Sequence, residues 1–463
     1  MARSPEKTSP KAALAVAALT TFMAPFMISA VNIALPAIQA EFAVDAVVLG
    51  WLANAYLLAT GVALVPAGKI ADIYGRRKIF ITGILVFTVA TTATAVMPSI
   101  SWIILLRILQ GMGAAMTMTT GIAIISAVFP PSERGKAIGI TVSSVYIGLS
   151  VGPFAGGLLT GAFGWRAIFL INAPIGAAAL LLAALKIREE WADAAGERFD
   201  VAGSLFYGVA LVCLMYGLSI LPARLGLGLL GGGALAMGLF IRHELRTAFP
   251  VFEVRLFRQN RTFTYSSLAA LINYAATFAV AFLMSLYLQY IKGMSPEAAG
   301  TVLICQPGVM ALFSPAAGRL SDRIEPAAIA SAGMALTAAG LAALAFLSAD
   351  TDIPYIIVSL VVLGLGFALF SSPNMNAIMG SVEKRHYGVA SGTVATMRLV
   401  GQMLSMTLAT LAFSFFIGSA QIAPPVYPRF LEAVTLCFAA FSVMCAGGIY
   451  FSLARGTLHS RSR

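Results

Sequence analysis

Long apolar stretches alternate with short polar ones from one end of the chain to the other. A helix rises about 1.5 Å per residue, so roughly 20 apolar residues cross a hydrocarbon layer of about 30 Å. By that measure the pattern predicts spans at 12–36, 47–67, 79–97, 101–128, 136–160, 166–186, 201–221, 225–242, 265–290, 296–318, 326–348, 353–379, 388–416 and 430–454. This is an all-α integral membrane protein with 14 transmembrane helices, and an even number of spans places both ends on one side.

Composition agrees. Of 463 residues, 59% are hydrophobic and 11% charged, too little polar surface to coat a soluble globule of this size. No interval between apolar runs is long enough for a soluble domain. The first run exceeds the roughly 7 to 15 residues of a signal-peptide core and is expected to remain as a span. Cys213, Cys305, Cys437 and Cys445 fall inside apolar runs without metal-ligand spacing, and read as packing residues. Neither a metal nor a cofactor is expected.

The net charge of +11 could point to nucleic acid, but its placement points elsewhere. Twenty-four of the 30 Lys and Arg lie on alternate connections, beginning with the N-terminal tail. The opposite connections carry only Arg166, Arg224, Lys292 and Arg429, while Arg107 and Arg398 lie within spans. Cytoplasmic connections retain Lys and Arg, so both termini are expected in the cytoplasm of a cell-membrane protein. Nucleic-acid binding then loses its support.

Between the second and third spans runs Gly68-Lys69-Ile70-Ala71-Asp72-Ile73-Tyr74-Gly75-Arg76-Arg77-Lys78, and a shortened echo follows at Gly318-Arg319-Leu320-Ser321-Asp322-Arg323. So basic a turn must stay wet at a membrane face, where glycine permits a sharp reversal. Asp72 is placed to face a helix N-terminus or to pair with Arg76. The pattern G-x-[IL]-x-D-x-x-G-R-[RK] resembles the major facilitator superfamily of secondary transporters. The usual basic residue after the Asp is Ile73 here, and Glu325 stands where the first copy has Gly75.

The two turns lie 250 residues apart, whereas six spans occupy roughly 200 residues at this spacing, which leaves about 50 for one helical hairpin. The expected division is an N-terminal six-helix bundle at 1–186, a linker with an inserted two-helix hairpin at 187–262, and a C-terminal six-helix bundle at 263–463. The segment 186–200, charged and mixed in sign, reads as a solvated linker. The architecture resembles the fourteen-span drug/proton antiporter branch of the superfamily.

Within the spans, Arg107 lies roughly 12 Å deep by helical rise, with Gln110 and Gly111 on its face. A cation at such depth needs a water-filled cavity or a partner. The stretch resembles the family motif whose Arg is linked with proton or substrate-charge handling; an Arg that merely locks two helices together is the alternative. Gly148, Gly152 and Gly156 recur every four residues, with Pro153 and Gly157 beside them. Such a strip admits a neighbouring helix closely, and Pro153 adds a kink. It resembles the glycine–proline pattern of exporters. Trp165 and Arg166 suit an interfacial anchor.

Met27 occupies a position where similar chains carry an acid. Asn32 follows on the same span. All 19 carboxylates and the three histidines map to connections or span ends, so Arg107 and Arg398 face no carboxylate at mid-membrane. Arg398, Gln402 and Ser405 form one polar stripe. Asn54, Tyr56, Tyr146, Asn273, Tyr274, Gln289, Gln306, Asn374 and Asn376 are further candidates for a cavity, each equally able to bond helix to helix.

The resemblance implies two bundles about a central site, a secondary active efflux transporter of small organic or amphiphilic compounds, coupled to protons, working by alternating access as a monomer in the bilayer. Gly68, Asp72, Gly75, Arg76, Gly148, Gly152, Pro153, Gly156, Gly157, Gly318 and Asp322 would serve conformational gating. The missing acid leaves open an uncoupled or potential-driven facilitator or exporter of anionic or neutral small molecules. No nucleophile with its base and no phosphate loop points to an enzyme.

Overall fold

The computed structural model describes residues 8–383 and 387–456. The two tails, with His459, and His386 lie outside the described residues. Among the described residues, fourteen helices are long and apolar enough to cross a membrane: α1 Pro10–Phe42, α2 Ala46–Tyr74, α3 Arg76–Thr94, α4 Ile100–Val128, α5 Glu133–Phe163, α6 Arg166–Lys186, α7 Val201–Ser219, α8 Arg224–Glu244, α9 Arg261–Ile291, α10 Pro296–Ser321, α11 Pro326–Leu344, α12 Ile353–Gly380, α13 Ala390–Phe416 and α14 Pro424–Ala454. No strand occurs among the described residues.

Side chains just outside the apolar runs start several of these helices. Asp45 accepts from the Val48 N–H at 2.8 Å, Asp200 from Gly203 at 2.9 Å, and Asn260 from Phe263 at 3.0 Å. Each satisfies an amide that has no partner within its own helix. Several helices outrun their apolar stretch. α1 continues through Pro36 to Phe42, since hydropathy marks the hydrocarbon depth and the helix goes on into the polar layer.

The first six helices pack as one bundle, with α1 against α5 and α4 against both α2 and α3. The last six form a second, in which α12 packs on α10 and α11, α14 on α11, and α9 on α13. The hairpin of α7 and α8 sits beside them, α7 touching α2 of the first bundle and α13 of the second. Tyr207 of α7 donates to the Gly61 carbonyl at 3.2 Å, and Ser414 of α13 donates to the Leu221 carbonyl at 3.2 Å.

One face carries the Asp72 turn and is called the basic face below. The bundles are joined toward the opposite face. There the Ser285 hydroxyl donates to the Asn32 carbonyl at 2.7 Å and Gln289 to the Ile33 carbonyl at 3.0 Å. The Tyr290 hydroxyl donates to Gln39, Gln421 donates to the Ala43 carbonyl at 2.6 Å, and the Ala46 N–H meets the Ala420 carbonyl at 3.2 Å. Beside them α5 and α10 interlock through glycine. A Cβ on Gly157 would strike the Pro296 carbonyl, and one on Gly300 the Pro153 carbonyl. The structure is thus closed on the face opposite the Asp72 turn.

Candidate functional site

Arg107 is 1% exposed. Its Nε donates to the Leu52 carbonyl at 3.2 Å and its Nη1 to Gln110 Oε1 at 2.6 Å, while Gln110 Nε2 donates to Thr91 Oγ1 at 2.6 Å. The guanidinium stands 4.6 Å from the Tyr56 ring centre, a cation–π pair. Gly111, one residue on from Gln110, brings α4 against the Tyr56 carbonyl, where a Cβ would collide. Arg107, Gln110, Tyr56 and Thr91 therefore form one buried network inside the first bundle; sequence reasoning missed Thr91, one more hydroxyl on an apolar helix. Met27 is fully buried in the same bundle, with Asn172 Nδ2 at 2.8 Å from its sulfur.

A second polar group bridges the two bundles. Tyr274 of α9 lies beside Ser371 and Arg398 of the second bundle and within electrostatic reach of Tyr146 of the first, with its ring edge-on to Phe367 at 5.3 Å. Gly401 allows the approach: a Cβ there would strike the Leu271 carbonyl of α9. Tyr146, Arg398, Gln402 and Gln306 are only half-buried, unlike the Arg107 network. A guanidinium, two phenols and a hydroxyl beside the Phe367 ring offer donors to a polar or anionic edge and an aromatic face to an apolar body.

Other candidates serve elsewhere. Asn54 is buried and donates to Thr407 at 3.1 Å, joining α2 to α13. Asn273 is buried in the second bundle with its amide toward Cys445. Asn32 is buried and contributes its carbonyl to Ser285. Asn374 donates to the Ser266 carbonyl at 3.1 Å and Asn376 to Ser321 Oγ at 2.6 Å. The glycine strip divides its work: Gly148, Gly152 and Gly156 face α1, whereas Gly157 turns to the second bundle. Trp165 is buried within the protein, where its indole N–H donates to Glu41 at 2.8 Å, and Arg166 grips the same carboxylate with two bonds of 2.6 Å.

The segment 186–200, read as a solvated linker, keeps most of its side chains exposed or half-exposed but is also tied to the Asp72 turn. Arg76 pairs with Asp72 at 2.7 Å and with Asp193 at 2.8 Å, and Lys69 pairs with Glu197 at 2.5 Å. The Ala194 N–H donates to the Asp72 carbonyl at 2.9 Å, the Arg76 N–H to the Trp191 carbonyl at 2.8 Å, and the Arg77 N–H to Glu190 at 2.8 Å. Gly75 has φ +120°, and Glu190 occupies the space a Cβ would need. The second turn is built differently. Glu325 has φ −51° and leads into Pro326, and Asp322 is exposed. Gly68 and Gly318 each leave ordinary contact room, toward Thr119 and Ser372.

Arg455, expected in the tail, is 1% exposed. Its Nη1 reaches Asn374 Oδ1 at 2.8 Å and Ser266 Oγ at 3.3 Å, and its Nε the Ser452 carbonyl at 2.6 Å. Burial pushes the guanidinium down to about 10, against the pull of Glu325, so it stays charged at neutral pH. It ties α9, α12 and α14 together at the basic face. The apolar run ends one residue before it, the position at which a cation normally reaches water.

The family model described as Major Facilitator Superfamily matches residues 17–406 and, separately, 266–460. The chain is 33% identical over 409 residues to the riboflavin transporter RibZ of Clostridioides difficile (strain 630), covering 88% of each. It is 33% identical over 379 residues to the tetracenomycin C resistance and export protein of Streptomyces glaucescens, covering 81% of this chain and 70% of that one. Over 387 residues it is 33% identical to the multidrug resistance protein Stp of Mycobacterium tuberculosis (strain CDC 1551 / Oshkosh), covering 82% and 71%. Among solved structures, a bacterial homolog of the human lysosomal transporter Spinster, inward-facing and unoccupied, superposes with TM-score 0.70 over 96% of each chain at 17% identity.

Proposed function

The chain belongs to the major facilitator superfamily, and from that premise we propose that it exports small organic or amphiphilic compounds by proton-coupled alternating access. The basic face lies in the cytoplasm, residues 1–186 and 263–463 are the rocking halves, and 187–262 links them. The observation that carries this reading is the half-buried group of Tyr146, Tyr274 and Arg398, which takes side chains from both bundles. A site shared between the halves changes shape whenever they rock, as a secondary transporter requires. Closure on the opposite face corresponds to a cavity that faces the cytoplasm. The exporters of Streptomyces glaucescens and Mycobacterium tuberculosis support the direction.

Arg398 supplies positive charge there, so anionic, zwitterionic and neutral amphiphiles are preferred over lipophilic cations. The test is uptake of cationic, anionic and neutral dyes into inverted membrane vesicles, with and without a pH gradient. Uptake that responds to the gradient supports proton coupling.

A second reading is an uncoupled or potential-driven facilitator or exporter of anionic or neutral molecules. It is favoured by the placement of the carboxylates in the described spans within about two and a half turns of a helix end, including Glu41, Asp72, Glu133, Glu244, Glu297 and Glu432. The similarity to a riboflavin transporter suits it as well. Uptake that survives collapse of the pH gradient and follows the membrane potential would select this reading.

A further inference from the structure

At the basic-face end of the inserted hairpin, two buried carboxyl groups meet. Asp200 caps the start of α7, and Glu244 ends α8 with 2% of its surface exposed. Their carboxyl oxygens converge on one point: a Cβ on Gly203 would strike both Glu244 Oε1 and Asp200 Oδ2. Only glycine leaves room for the two oxygens side by side.

The donors around the pair can be counted. The Gly203 N–H donates to Asp200 Oδ1 at 2.9 Å. His243 Nε2 lies 2.9 Å from Asp200 Oδ1 and 3.0 Å from Oδ2. The Phe252 N–H donates to Glu244 Oε2 at 3.0 Å. Glu244 Oε1 is fully enclosed and has no hydrogen-bond partner. With His243 neutral, two carboxylates converging on one glycine away from water share a proton rather than both staying ionised. The other charged groups on the surrounding elements are engaged or turned outward: Lys69 of α2 by Glu197, Arg255 by the Leu245 carbonyl, while Arg242 and Arg246 are exposed.

We propose that Asp200 and Glu244 bind one proton between them, carried on Glu244 Oε1 and donated to Asp200, with His243 as the group through which it exchanges with water. This makes the base of the hairpin a proton-binding site separate from the polar group between the bundles. Its place gives it leverage. Glu244 holds the backbone of the segment after α8, and α7 touches both bundles. Losing the proton sets two anions against each other at the foot of an element that spans the moving halves.

The proposal stands whether or not transport itself is proton-coupled. It is tested by infrared difference spectroscopy of the purified full-length protein, wild type against Glu244→Gln. Glutamine keeps the size of the side chain and its bond to Phe252. The wild type is expected to have a protonated-carboxyl stretch that shifts in heavy water, vanishes on alkalinisation and is missing from the variant. Asp200→Asn, which can still cap α7, removes the opposing charge and should ionise Glu244, with loss of the same band. The native state then holds a proton that the unfolded chain has released, so the melting temperature of the wild type falls as pH rises through this titration, and that of Glu244→Gln does not. An unchanged band in Glu244→Gln, or a pair that responds to sodium without any protonated-carboxyl band, would overturn the proposal.

Discussion

Arg76 reaches back one helical turn to Asp72 at 2.7 Å and outward to Asp193 at 2.8 Å. The turn most legible in the sequence is thereby fastened to a linker that reads as solvent-exposed. Such half-exposed pairs contribute about 0.2–1 kcal/mol each, enough to bias a conformational equilibrium without fixing it. Asp72→Asn should therefore slow turnover by up to about fivefold and leave substrate affinity unchanged. Stopped-flow exchange and equilibrium binding separate the two, and a loss confined to affinity would contradict the gating role.

The Arg107 network predicts a sharper effect. Arg107→Ala leaves the Gln110 and Leu52 oxygens without their buried donor, at about 1–3 kcal/mol for each group. Transport should be abolished, with a lower melting temperature and normal membrane insertion. Arg107→Lys should not rescue it, because an ammonium lacks the planar fork that meets Leu52, Gln110 and Tyr56 together. Vesicle uptake near the wild-type rate in either variant would reduce Arg107 to a packing residue.

Glycine closure of α5 on α10 can be tested by adding bulk. Gly157→Leu drives a side chain into the Pro296 carbonyl, and overpacking of this kind costs about 1–3 kcal/mol. That corresponds to a population shift of about 5–150-fold toward states open on that face. Spin labels on α5 and α10 should report a longer mean separation in the variant. An unchanged distance distribution would mean that the contact does not limit closure.

Arg455→Ala should lower the melting temperature without altering the order of preference among dyes. The side chain binds Ser266, Asn374 and Ser452 within one bundle. A changed dye preference would place it in the transport path instead.

The spans were legible because hydrocarbon thickness sets a minimum apolar length, and the charge asymmetry because alternate connections can be counted once the spans are drawn. The glycine strip at 148, 152 and 156 announced a close helix contact by its spacing. Its partners were not legible: nothing in the strip says that Gly157 belongs to the other bundle. The docking of 186–200 escaped because it depends on backbone groups such as Trp191 and Ala194, which leave no periodic trace. Asn54 and Arg398 look alike in sequence, each a polar residue in an apolar run. Only the packing separates the one that bonds α2 to α13 from the one left half-exposed between the bundles.

The most direct measurement is the initial rate of uptake of size-matched anionic and cationic dyes into inverted vesicles containing the wild type or Arg398→Gln. The account predicts that the wild type favours the anionic dye by about tenfold or more, the scale of one charged hydrogen bond at about 1.5–3 kcal/mol, and that the variant loses this preference while still inserting and folding. A wild type that prefers the cationic dye, or a variant with the same preference as the wild type, would contradict it.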